Sequence, residues 1–240
     1  MPSDETIIWR YMDFTKFAQL LYTNSIWFSR VDKLSDQYEG ELPYQNSNEF
    51  MDRLYSIDPN MPFNEMLDRA IKERQNIRIF KSFSYVNCWS IDPCESYALW
   101  KIYLEGGKQG VAIKSTVGRI KSAFEKSEYK GVIGKVNYKD SVERVNQDLI
   151  IGTKKPYYKY ENELRIMIMN QFELRENDNG KSVKVPLNIT GMNLKIDLMK
   201  LVDRIVISPF SEHWFLKLIS EMTQEKKPGL IIHKSRLIDN

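Results

Sequence analysis

Four residues of this sequence have types and settings that could do chemistry. Arg10 is a guanidinium inside TIIWRY, a run otherwise β-branched, aromatic and apolar. A charge buried in such a strand is costly unless paired, and the planar guanidinium fork grips phosphate or carboxylate oxygens in pairs. Arg10 therefore suits an anion clamp, at about 1.5–3 kcal/mol per charge-assisted bond. A solvent-facing edge arginine, or one paired to an internal acid, accounts for it equally. Glu161 and Glu163 form a Glu-x-Glu where a strand is expected to open. Period two puts both carboxylates on one face, close enough to divide acid–base roles, unless Glu163 simply pairs with Arg165 at a solvated strand start. Ser90 closes VNCWS, where its hydroxyl can orient a ligand or cap the turn into IDPCES.

Other groups widen the choice. Trp9, Trp27, Trp89 and Trp100 are core by residue type, with one able to stack on a planar ring. Asp32, Asp36 and Glu39 could gather a cation or form a solvated acidic loop. Lys154, Lys155, Tyr157, Tyr158 and Lys159 mix basic and aromatic groups as a nucleic-acid surface would, or as a plain connector would. The sequence holds two cysteines, Cys88 and Cys94, and two histidines, His213 and His233. That is too few for a disulfide framework, leaves few ligands for structural zinc, and gives no recognisable Ser-His-Asp motif. GxxxxGK[ST] and GxGxxG are both missing, which disfavours P-loop and Rossmann nucleotide binding.

The elements that must hold these groups follow from periodicity. The 240 residues, 42% apolar and 28% charged with net charge +3, suit one soluble globular domain. Such a small charge does not by itself imply nucleic acid. Thr6 to Tyr11 alternates as a strand. Asp13 caps a helix with Phe14, Phe17, Ala18 and Leu21 inward, closed by Asn24. Ser25 to Arg30 is the next strand. A short helix over 48–57 and a longer one over 63–80 make a helical insertion or lid, or a plain surface helical pair. The central stretch 85–114 reads as a strand to Ser90, a helix with Ser96, Leu99, Trp100 and Tyr103 on one face, a stop at Gly106-Gly107, and a strand GVAIK. Thr116 caps another helix. Val132 to Tyr138 reads as one strand, 140–151 as a helix, Glu163 to Asn170 and Lys181 to Leu187 as strands joined through the turn NDNG. RIVIS, a helix over 211–223 and PGLIIHKS close the chain. This is a single α+β domain, a mixed, mostly antiparallel twisted sheet packed with helices.

Several of these pieces, taken in order, resemble the bacterial domain of unknown function (DUF) 2971 family: WRYMDFTKFAQLLYTNSIWFSRVDKLSDQYEG, CWSIDPCESYALWKIY with GVAIKS, YENELRI, and LVDRIVISPF with IIHKSRL. The acidic loop departs from that pattern, with Ser35-Asp36-Gln37 where many members carry an Asn-Asp-Pro-like segment. More distantly, Arg10, Ser90 and Glu161-x-Glu163 occur in the order of ADP-ribosyltransferases of the Arg-Ser-Glu type. That resemblance implies an ADP-ribosyltransferase-like core with NAD as substrate and no metal. It makes Glu163 catalytic, Glu161 an acceptor-orienting residue, and Ser90 a residue that places the nicotinamide ribose. Arg10, with Tyr11, Trp27 and Trp89 beside it, would hold the dinucleotide. A carboxylate against the ribose would stabilise the oxocarbenium-like charge that builds as the nicotinamide bond breaks.

The expectation is an NAD-using transferase or NAD hydrolase, of the kind found in phage-defence or toxin systems, with a nucleotide ligand and a protein or nucleic-acid acceptor. The alternative is a non-catalytic nucleotide- or protein-binding module. Two free thiols, the lack of a run of ~20 apolar residues, and a start unlike a signal peptide lead to the expectation of a cytoplasmic protein, able to self-associate, with no membrane partner.

Overall fold

Alternating side chains draw out the first strand, β1 (Ile7–Asp13), and Asp13 ends it by capping α1 (Phe14–Thr23). The Asp13 side chain accepts from Lys16 N at 2.9 Å, satisfying one of the free N–H groups of the first turn. Asn24 closes that helix at φ 49°, a left-handed position that asparagine tolerates. β2 (Ser25–Arg30) follows directly. The computed structural model describes residues 1–34, 52, 55–56, 58–139 and 152–238. The expected helices over 48–57 and 140–151, and the acidic loop beyond Leu34, lie wholly or mostly outside the described residues.

After α2 (Phe63–Ser82) the chain enters β3 (Tyr85–Ile91). Ser96 caps α3 (Tyr97–Leu104), β4 (Gly110–Thr116) follows, and Thr116 caps α4 (Val117–Ala123). Beyond these come β5 (Val132–Lys135), β6 (Asn137–Tyr138), β7 (Thr153–Lys154) and a 3-10 turn over Pro156–Glu161. β8 (Glu163–Ile168), β9 (Phe172–Glu176), β10 (Ser182–Pro186) and β11 (Gly191–Lys195) lead to α5 (Leu198–Leu201). β12 (Arg204–Ile207), α6 (His213–Lys226) and β13 (Ile232–Lys234) end the described chain.

The result is a single α+β domain on a mixed, mostly antiparallel sheet. Its main path runs β11-β2-β3-β1-β4-β12-β13, with the β12–β13 pair parallel. β8 pairs with β3 over Tyr85–Ser90, and β5 lies beyond β8. The other edge of β3 is shared. Its start pairs with β2 (Ser29 opposite Val86, Arg30 opposite Tyr85), and its end pairs with β1 (Ile8 opposite Ile91, Trp9 opposite Ser90). β1 and β2 therefore part company along β3, and the sheet splits between them.

Among the described residues, apolar side chains fill three zones. The largest holds Phe17, Leu20 and Leu21 of α1 with Ile8, Phe28, Ile113, Ile120, Phe215 and Ile219. A second packs α3 through Leu99, Trp100 and Leu104 on Trp9, Tyr11 and Ala112. A third seats Phe80 of α2 against Val31, Val86 and Met167.

Two sequence expectations need correction, and two strands were not anticipated. Val132–Tyr138 is not one strand: Val136 interrupts it, and β6 leaves for a small parallel pair with β7. β9 and β11 carried no strand expectation. α3 ends not on the glycine pair but one residue earlier, where Glu105 takes the left-handed conformation at φ 47°.

Candidate active site

The sheet split explains why Arg10 sits in an apolar strand. Past Trp9, β1 no longer pairs with β3, so β3 backbone acceptors face the gap without a strand partner. Arg10 reaches across it and donates Nη1–H to the Cys88 carbonyl. Asn87 does the matching job towards β2, donating Nδ2–H to the Trp27 carbonyl at 2.8 Å while its Oδ1 accepts from Trp89 Nε1 at 2.7 Å. Polar side chains thus stand in for the missing ladder bonds, as buried backbone groups require.

A cavity of about 750 Å³ opens at this split, within the range of about 300–1,000 Å³ usual for small-molecule sites. Arg10, Tyr11, Trp27, Trp89, Ser90, Glu161 and Glu163 all line it. The register explains the convergence: Trp9 lies opposite Ser90, and Ser90 lies opposite Glu163. Three adjacent strands, β1, β3 and β8, therefore bring together residues up to 153 positions apart in sequence. Arg10 forms no ion pair among the described residues. Burial pulls its guanidinium below the ordinary arginine value, with the nearby Cys88, Tyr103 and Glu163 groups opposing.

Glu161 and Glu163 do meet, but not through strand alternation. β8 begins only at Glu163, and Asn162 breaks the period with φ 41°. The carboxylates converge on Lys154 instead, whose Nζ lies 2.7 Å from Glu161 Oε2 and 3.5 Å from Glu163 Oε2. Arg165, 1% exposed, donates Nε–H to Glu163 Oε1 at 2.8 Å and Nη2–H to Oε2 at 3.1 Å. The Glu163–Arg165 pair weighed from sequence is thus present, buried rather than solvated. Tyr138 Oη accepts the Glu163 backbone N–H at 2.8 Å, which fixes the strand start. Burial pushes the Glu163 carboxyl up, to about 7, while Lys154 and the Cys88 thiol pull it down.

The remaining candidates divide by what already holds them. Ser90 Oγ donates to the Glu161 carbonyl at 2.8 Å, so it ties the loop before β8 to β3 and keeps its lone pairs for a ligand donor. Tyr11 accepts from Ser96 N at 2.7 Å and meets Trp100 edge-on at 5.0 Å, which anchors α3. Trp89 is a core residue, 2% exposed. Trp27 keeps an exposed indole, 37% open, with Nε1 donating to Ser29 Oγ at 3.1 Å. It rests on Gly191, where a Cβ would stand 2.2 Å from the ring carbon Cζ2.

Asp32 is occupied by Arg30, at 2.7 Å from its Nε. Lys154, read from sequence as part of a basic connector, is committed to the two carboxylates, and its ammonium also lies 4.6 Å from the Tyr158 ring centre. Sequence gave no cue to this role. Burial holds the Cys88 thiol well above the ordinary range, and the neighbouring Glu163 adds to the rise.

No protein-family model, curated protein or solved structure matches this chain. No helix among the described residues is long and apolar enough to cross a membrane.

Proposed function

We propose that this is a DUF2971-type protein with an ADP-ribosyltransferase-like site that cleaves the nicotinamide–ribose bond of NAD. The observation that carries the reading is the cavity at the sheet split, which Arg10, Ser90, Glu161 and Glu163 line together. Arg10 has most of its five N–H donors left after the one bond to Cys88 O, as a diphosphate clamp needs. Glu163 is aimed by Arg165 through both carboxylate oxygens, so its orientation is fixed before substrate arrives. A carboxylate preorganised in this way stabilises positive charge growing on the ribose. Trp27 offers an indole face for a planar base.

The test is nicotinamide release from NAD by the purified protein, beside Glu163→Gln and Arg10→Ala variants shown to be folded. Release by the parent and its loss in Glu163→Gln is the expected result. A second reading, a nucleotide-binding module without catalysis, is favoured by one observation: Arg165 and Lys154 already saturate the Glu163 carboxylate. Calorimetric NAD binding with no nicotinamide release would select it. Neither binding nor release would remove both.

A further inference from the structure

The charges around Glu161 bear on which acceptor such a site could use. A cationic acceptor, such as a guanidinium or an ammonium, needs an unpaired carboxylate to hold it against the reacting carbon. Glu161 is the carboxylate placed to do this by sequence order, and it is taken: its Oε2 lies 2.7 Å from Lys154 Nζ, with the two side chains only 16% and 9% exposed. Glu163 is bonded to Arg165 and approached by the same lysine. Three cations, Arg10, Lys154 and Arg165, thus surround two carboxylates. Over the whole lining the positive side chains outnumber the negative by five to three. A further cation entering this space meets repulsion and would have to displace a buried internal partner.

Resting on the NAD-cleaving reading above, we infer that the acceptor is water, and that Lys154 sets this by neutralising Glu161. The step balances without a further reactant. The C1′–N bond of NAD breaks, and its electron pair leaves with nicotinamide, which departs neutral. A water oxygen bonds to C1′, and one water proton passes to a Glu161 oxygen and on to solvent. The products are ADP-ribose, nicotinamide and a proton. Lys154 does not touch the reacting atoms; it is a positioning residue that excludes cations from the acceptor side.

The experiment quantifies nicotinamide, free ADP-ribose and ADP-ribosyl-agmatine in reactions of the full chain with NAD, with and without excess agmatine, a small guanidinium acceptor. The mass of the protein is recorded alongside. The expected result is free ADP-ribose equal to nicotinamide, unchanged by agmatine, with no added mass on the chain. Lys154→Met is expected to raise the agmatine-adduct fraction about tenfold, a partition change of ~1.4 kcal/mol, because Glu161 is then free to hold a cation. Agmatine adduct as a main product of the parent overturns the inference and leaves NAD cleavage standing, and so does ADP-ribose attached to the chain. This arm needs no variant to fold. Absence of nicotinamide release in every arm overturns NAD cleavage, and the inference with it.

Discussion

At the scale of single residues, the site turns on two buried charges in different circumstances. Arg10 is held by one backbone carbonyl and has no acid of its own among the described residues. Removing it takes away a charge-assisted contact of about 1.5–3 kcal/mol to a bound phosphate, at least about tenfold in affinity. Arg10→Ala is therefore expected to weaken ADP binding by that factor in a calorimetric titration. The same change leaves the Cys88 carbonyl without its partner, at roughly 1 kcal/mol of stability, which thermal unfolding reads separately. Equal affinity in Arg10→Ala and parent would mean that Arg10 serves only the sheet split. Glu163 carries the pH dependence. Burial raises its carboxyl to about 7, opposed by Lys154 and the Cys88 thiol, with Glu161 adding to the rise. The working form is the carboxylate, and it grows as pH rises through about 7. Nicotinamide release should therefore climb with pH between about 6 and 8 and level off above; a flat profile over that window would remove Glu163 from the charge-stabilising role. Part of this was legible in the sequence: a lone arginine in an apolar strand and a Glu-x-Glu are visible by type. Lys154 was not, because only the fold carries it from a basic, aromatic connector to a place between two carboxylates.

Secondary elements show the same division between local and distant causes. Asp13, Ser96 and Thr116 cap helices with their own side chains, and the sequence displays such caps directly because the bonds span three residues. β2, β3, β4 and β8 were readable because apolar, β-branched and aromatic residues fill them. β11 was not. Its GMNLK has only two buried residues, and it becomes a strand by pairing with β2 across more than 160 residues of chain. β9 is largely exposed, and among the described residues its strand pairing is with β10. Val136 breaks a run that alternates well, because the chain leaves β8 there to pair elsewhere. β11 also contributes Asn193 to the cavity lining, and its Gly191 lies against the ring of Trp27, another lining residue. A methyl at Gly191 would come within 2.2 Å of the indole and 2.5 Å of the Phe28 carbonyl. Since the backbone cannot yield cheaply, Gly191→Ala is expected to cost about 1–3 kcal/mol and lower Tm. It should also move Trp27, read as a shift in tryptophan emission. An unchanged Tm would show that β11 lifts off β2 at little cost.

The molecule as a whole is organised by the sharing of one β3 edge between two strands. β1 is secured on its far side by a seven-residue register with β4, and β4 in turn by β12. β2 has only β11 on its far side among the described residues. The two walls of the gap are therefore unequal: one belongs to a wide, buried sheet, the other to a narrow flank. Openings of small free energy concentrate where backbone pairing is thin, so amides of β2 and β11 should exchange with solvent faster than those of β1 and β4. The β9–β10 hairpin, a two-stranded sheet by itself with Leu174 64% exposed, should be faster still, since isolated hairpins are marginal in water. A ligand seated in the cavity touches both walls and ties the narrow flank to the wide one. Adding ADP or NAD should then slow exchange most in β2, in β11 and at residues 87–89 of β3, with little change in the hairpin. Amides of β12 and β13, away from the gap, should slow only as far as global unfolding limits them. Protection that skips β2 and residues 87–89 while appearing elsewhere would place the nucleotide outside the split. The Arg10, Ser90 and Glu163 grouping would then be a means of closing the sheet and nothing more.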